Sequence, residues 1–168
     1  MRRMEEKILS AVSLGRNAPE SPNTLSPEDV ELICAAVKAM GNSYSPYSCF
    51  PVGAAILTSS GAVYTGCNIE NASYGLTMCA ERTTAFKAVS VGDRHFKTIA
   101  IAAQKPSWPC GACRQVLNEF SDHLRLLIAA PGYPVEISTL SDLLPHSFGP
   151  ADLEVSLAEN NPEEESQP

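Results

Sequence analysis

Two short stretches hold most of the chain's reactive side chains: MCAER at 78–82 and WPCGACR at 108–114. Cys110 and Cys113 have the CxxC spacing that lets two sulfurs in the first turn of a helix face one ion. Cys79 lies upstream, at the start of another helix-like segment. Unpaired N–H groups and the dipole at a helix start favour thiolates there. If the two helix starts meet, three sulfurs can hold one zinc and leave its fourth position to water, as catalytic sites do. Glu81 sharpens that reading. Cys79 already takes that end of the helix, so the carboxylate is left beside the metal as a proton carrier. Zinc with a nearby base points to activated water and hydrolysis of a C–N or similar bond.

Three thiolates on a divalent ion leave a net negative charge, which works against acidifying water. Arg82 and Arg114 each adjoin a sulfur position, and Arg82 at least is expected to donate to ligand sulfur. The same residues admit other readings. Cys110 and Cys113 could be a redox pair. A structural zinc site could draw a fourth ligand from His95, His123 or His146. The thiols could simply be packed, with Glu81 and Arg82 a surface ion pair. Cys34, Cys49 and Cys67 are expected to be packed thiols.

The elements that must position these residues follow from periodicity. SPED at 26–29 offers a capping Ser26 with Pro27 at the first helical position, and Val30, Ile33, Cys34, Val37 and Met40 recur at helical spacing. A helix over 27–40 is predicted. Residues 50–58 and 62–68 read as strands joined by the SSG turn. Residues 78–91 read as a helix burying Ala85, Phe86 and Val89. Strands over 97–103 and 124–130 flank a helix opened by Pro109, and YPVEIST at 133–139 reads as a fifth strand. LSDLLP at 140–145 reads as a short helix. The order β-β-α-β-α-β-β implies an α/β sheet covered on both faces, with 97–103 and 124–130 parallel.

Composition sets the outer limits. The chain has 168 residues and a formal net charge of −7, which suits a single domain. From Asp152 onward it holds six acids and no Lys or Arg; removing those six from −7 leaves −1 for the rest. No basic stripe appears, so duplex nucleic acid is not an expected partner. No run is apolar and long enough to predict a membrane span. The N-terminal MRRMEEKILSAVSLG is a poor secretory leader because Glu5 and Glu6 interrupt it. A reducing, cytoplasmic setting is expected, with cysteines as metal ligands. Residues 1–25 are expected to be a flexible extension, 26–153 the single catalytic domain, and 154–168 a disordered acidic tail.

Further stretches extend the pattern: YSPYSCFPVGAA at 44–55, GCNIENA at 66–72, CAERT at 79–83, PCGACRQVL at 109–117 and LLPHSFGPADL at 143–153. Together they resemble the small cytidine deaminases of nucleoside salvage that bind zinc through three cysteines. The zinc-deaminase signature and its glutamate acid–base are known chemistry. The resemblance implies a three-layer α-β-α fold with a mixed five-stranded sheet. It implies one zinc per subunit on Cys79, Cys110 and Cys113, with Glu81 carrying protons while activated water attacks C4 of the base. It places Phe50 and Ala80 against the nucleoside, and Asn68 and Glu70 on the ribose 3′-hydroxyl. It further implies a homotetramer in which a neighbouring subunit supplies Tyr74 and Phe148, and Tyr47 lies near a subunit contact.

The implied reaction is hydrolytic deamination of cytidine and 2′-deoxycytidine. An aminonucleoside-antibiotic deaminase of the blasticidin S type, an RNA-editing deaminase and a non-catalytic zinc-binding protein are the alternatives. Asn68 and Glu70 favour an ordinary nucleoside, and the absence of basic-aromatic tracts disfavours RNA. Trp108 departs from the family pattern, where a small residue is common; it is expected either to shape the pocket rim or to pack against a neighbour.

Overall fold

A computed structural model of the chain describes residues 24–121 and 123–153. The tail at 154–168 and all but the last two residues of the N-terminal extension lie outside these. Helix α1, Pro27–Met40, starts as its sequence predicts. The Asp29 N–H donates to Ser26 Oγ at 3.1 Å and the Ser26 N–H donates to the Asp29 carboxylate at 2.8 Å, a reciprocal cap. The same carboxylate, buried, pairs with Arg125 and so ties the helix start to the sheet.

The sheet is mixed and five-stranded, in the order β2-β1-β3-β4-β5. Strands β1 (Val52–Thr58) and β2 (Val63–Cys67) form the antiparallel hairpin. β1 also pairs antiparallel with β3 (Phe96–Ala103). β3 pairs in parallel with β4 (Arg125–Ala129), and β4 pairs antiparallel with β5 (Glu136–Thr139). β5 is shorter than expected, beginning after Pro134, which has no N–H to give a ladder.

β1, β3 and β4 read as continuous apolar runs because both faces are covered. Ala55, Leu57, Ala100, Ala102 and Leu127 meet α1 on one face. Ala54, Ile56, Ile99, Ile101 and Leu126 face the other way, toward α2 (Ala80–Val89), α3 (Gly111–Asn118) and α4 (Leu140–Leu143). The result is the expected three-layer arrangement.

One buried face differs from expectation. α2 buries Ala80, Glu81, Thr84, Ala85 and Ala88, whereas Phe86 is 44% exposed. The reason is helical phase: Glu81, Thr84, Ala85 and Ala88 share the buried face, and Phe86 falls off it. A Cβ on Gly66 of β2 would lie 2.6 Å from Thr84 Oγ1 and 2.8 Å from the Thr84 nitrogen. Only small side chains fit the gap on that face. Among the described residues no helix is long and apolar enough to cross a membrane.

Candidate active site

Gly53 of β1 stands opposite Cys67 on one side and Ala102 on the other. The C-terminal ends of β2 and β3 therefore share one sheet edge. α2 and α3 both begin beyond that edge, and each is N-capped by a cysteine in extended backbone: Cys79 at φ −74°, ψ 153° and Cys110 at φ −67°, ψ 167°. Neither side chain is used as a hydrogen-bonding cap. Cys113 follows as the third residue of α3. The three Sγ atoms all lie within 4.8 Å of one another, and those of Cys110 and Cys113 are 3.5 Å apart. Zinc–thiolate bonds of about 2.3 Å in tetrahedral array set sulfurs roughly 3.8 Å apart, so the donor set fits zinc.

The cluster contains neither a histidine nor Glu81 among the described residues. Glu81, the second residue of α2, is 6% exposed. Burial pushes its carboxyl above the ordinary range, and the Cys79 charge adds to this. Taken as thiols, Cys79 and Cys113 are shifted in opposite directions. A hydrogen bond from Cys113, with Arg82 reinforcing it, holds Cys79 down to about 5. Cys113, facing that sulfur and desolvated, is pushed up.

Arg82 Nη2 approaches Cys79 Sγ at 3.7 Å and the Thr77 carbonyl at 3.5 Å. Arg114 does not reach sulfur in any described contact. Its Nε donates to the Pro109 carbonyl and its Nη1 to the Leu143 carbonyl, both at 2.8 Å.

A second group forms where β2 ends. Backbone bonds stitch 68–70 between Tyr44 and Met78: Tyr44 N–H to the Asn68 carbonyl, Glu70 N–H to the Tyr44 carbonyl, and a reciprocal Ile69–Met78 pair. This links the segment directly to the start of α2. Asn68 is buried and its amide is oriented by its neighbours. Its Oδ1 accepts from the Val52 N–H at 2.9 Å and from Ser43 Oγ at 2.5 Å, while Nδ2 donates to the Phe50 carbonyl at 2.9 Å. One Nδ2 hydrogen is left to donate elsewhere. The Glu70 carboxylate accepts from the N–H groups of Tyr47 at 2.9 Å and Ser48 at 3.2 Å, and from the Ser48 hydroxyl. Phe50 is half-buried on that loop, with Lys105 Nζ 5.9 Å from its ring centre.

The comparisons with known proteins meet this geometry. A profile of the cytidine and deoxycytidylate deaminase zinc-binding region matches residues 26–128. The chain belongs to the cytidine and deoxycytidylate deaminase family. It is 49% identical over 129 residues to a cytidine deaminase of Sporosarcina psychrophila, covering 74% of this chain and 95% of that one. The crystal structure of a cytidine deaminase from Burkholderia pseudomallei superposes with a TM-score of 0.69 at 43% identity, over 74% of this chain and all of the other. That of Mycobacterium tuberculosis gives 0.63 at 42% identity, over 71% of this chain and 95% of the other.

In this deaminase-family chain the other residues singled out by the resemblance are more scattered. Ala80 is fully buried between Cys79 and Glu81. Tyr74 is 74% exposed and its ring lies 5.8 Å from that of Tyr47. Phe148 is 61% exposed. Trp108 is half-buried and packs against its own chain's core, in a groove with Val135, Ile137 and Leu143. Cys49 corrects an expectation: it is exposed, at φ 52°, in a left-handed turn that lifts the thiol from the core. Cys34 and Cys67 are half-buried, and Cys67 donates to the Asn42 carbonyl at 3.3 Å. Ser43 and Ser48, which hold Asn68 and Glu70, are not marked by any pattern in the sequence. The serines differ from any turn serine only in partners 25 and 22 residues away, which no local pattern reveals.

Proposed function

We propose that the protein hydrolyses cytidine and 2′-deoxycytidine to uridine and 2′-deoxyuridine, releasing ammonia. The observation that carries this reading is Glu81, buried beside three clustered sulfurs yet outside their ligand set. Cys79, Cys110 and Cys113 would hold one zinc per chain. When bound, zinc supplies the Lewis acidity that makes water a nucleophile near neutral pH. Glu81 does the proton work. As the water oxygen joins C4, the carboxylate takes one water proton and passes it to N3 of the base. The second water proton reaches the amino group by the same route, the C4–N bond breaks, and ammonia leaves. A carboxyl raised by burial suits such sharing.

Asn68 and Glu70 suit a sugar hydroxyl, because the spare Asn68 hydrogen can be accepted by the oxygen that donates to Glu70. The Glu70 charge also disfavours a nearby phosphate, which favours a nucleoside over a nucleotide. Phe50 and Ala80 contact the base and its sugar in this reading. The exposure of Tyr74 and Phe148 supports a homotetramer in which these rings complete a neighbour's site; sedimentation of a stable, fully active monomer would reject that assembly. The catalytic domain spans 26–153, and pyrimidine salvage in the cytoplasm is the setting this activity fits.

An ultraviolet assay of wild type and Glu81→Gln on cytidine, deoxycytidine, cytosine, CMP and blasticidin S tests the proposal. Turnover of the two nucleosides, lost in the variant, is expected. Near-normal turnover by Glu81→Gln would remove the shuttle assignment, and preference for blasticidin S would redirect the substrate.

A further inference from the structure

α3 begins with two of the three sulfurs, and its later residues grip a different segment. Between α4 and the 3₁₀ turn at Pro150–Leu153, residues 144–149 form neither helix nor strand. The chain reverses there through His146 at φ 55°. Its side-chain anchors come from successive turns of α3. Arg114 Nη1 donates to the Leu143 carbonyl at 2.8 Å, and Gln115 Nε2 donates to the Phe148 carbonyl at 2.7 Å. Asn118 Oδ1 accepts from Ser147 Oγ at 3.1 Å, and a Cβ on Gly149 would lie 3.0 Å from Asn118 Nδ2. Thus the backbone at Phe148 is held while its ring stays 61% exposed.

We infer that Arg114 is a positioning residue that couples the Cys110 loop to the segment presenting Phe148. The same guanidinium donates through Nε to the Pro109 carbonyl, immediately before Cys110. One rigid, planar fork therefore spans two chain segments, and its half-buried position shields both bonds from water. A lysine ammonium on a flexible stem lacks the fork that meets two carbonyls in fixed geometry. The inference rests on the reading of Phe148 as a substrate-side residue, but the clamp itself has a separate readout.

The test uses the full-length, zinc-loaded protein carrying Arg114→Lys, Phe148→Ala or both, with zinc content measured for each. Arg114→Lys should speed amide hydrogen exchange in 143–149. It should raise KM for cytidine about fivefold, the scale of one lost hydrogen bond, with kcat changed less. Because Arg114 acts through Phe148, the double variant should show a KM no higher than Phe148→Ala alone. Unchanged exchange in 143–149, or KM effects that multiply, would overturn the inference. If Phe148→Ala leaves KM unchanged, the substrate role of that ring fails and the exchange result alone decides the clamp. Should Arg114→Lys not fold, Arg114→Gln carries the same readouts.

Discussion

Arg82 Nη2 lies 3.7 Å from Cys79 Sγ, while Nε of the same guanidinium is buried without a partner among the described residues. Leaving a buried donor unpaired costs about 1–3 kcal/mol. The fold tolerates that cost while holding a positive charge against the sulfur cluster. Arg82→Gln should therefore weaken zinc binding by about 10–100-fold, the range for lost partners of metal ligands, and lower kcat with it. Competition against a chromophoric chelator gives the first number and the nucleoside assay the second. Unchanged zinc retention and kcat would remove Arg82 from the site's charge balance.

Gly53 marks a close approach between β1 and α1. A Cβ there would lie 2.1 Å from the Ala36 carbonyl oxygen and 2.3 Å from the Met40 nitrogen, both backbone atoms of α1. Neither can rotate aside. Gly53→Ala should cost about 3 kcal/mol or more, at the upper end of overpacking effects. Thermal unfolding measures this, and a melting temperature equal to wild type would contradict the packing described.

Glu70 links pH to the loop that carries Phe50. The Ser48 hydroxyl first, then the Tyr47 and Ser48 N–H groups, hold its carboxyl below the ordinary range, although desolvation opposes them. A depressed folded-state pKa means that the loop's stabilisation is complete above the unfolded value of about 4.3 and fades as pH falls through the lower, folded one. The loop should thus stay anchored at pH values where a free glutamate is already protonated. Carbon-detected titration of the Glu70 carboxyl reads this directly, and Ser48→Ala should move the midpoint up. A wild-type midpoint at or above the free value would refute the linkage.

Arg125 answers the buried carboxylate of Asp29, with side-chain exposures of 28% and 8%. Asp29 also accepts the Ser26 N–H, so one carboxylate serves both the α1 cap and the tie to β4. Arg125→Met leaves that charge buried with only the cap and should destabilise by about 2–3 kcal/mol. Chemical denaturation at neutral pH tests it; a loss under about 0.5 kcal/mol would class the pair with ordinary surface ion pairs.

Local signals were read well. The bounds of α1 follow from Ser26, Pro27 and Gly41. Cys79, Glu81, Cys110 and Cys113 stand out because helix starts concentrate chemistry within a few residues. What escaped was distance between layers and direction of side chains. Hydropathy marks Phe86 as apolar but does not say that the buried face of α2 runs through Glu81, Thr84, Ala85 and Ala88 instead. Adjacency puts Arg114 beside Cys113, yet its fork reaches backward to Pro109 and across to Leu143. Cys49 is exposed because backbone handedness, not hydropathy, decides its place.

The shared sheet edge has a consequence for how such a protein can diversify. The feeder segments before the two sulfur-capped helices, 68–78 and 104–109, leave the same rim of a rigid platform. The first is fastened to β1 where Asn68 Oδ1 accepts from the Val52 N–H. In the proposed reading the sugar partners Asn68 and Glu70 sit in the first feeder while the sulfurs cap the helices, so sugar preference and metal holding fall on neighbouring but separate stretches of chain.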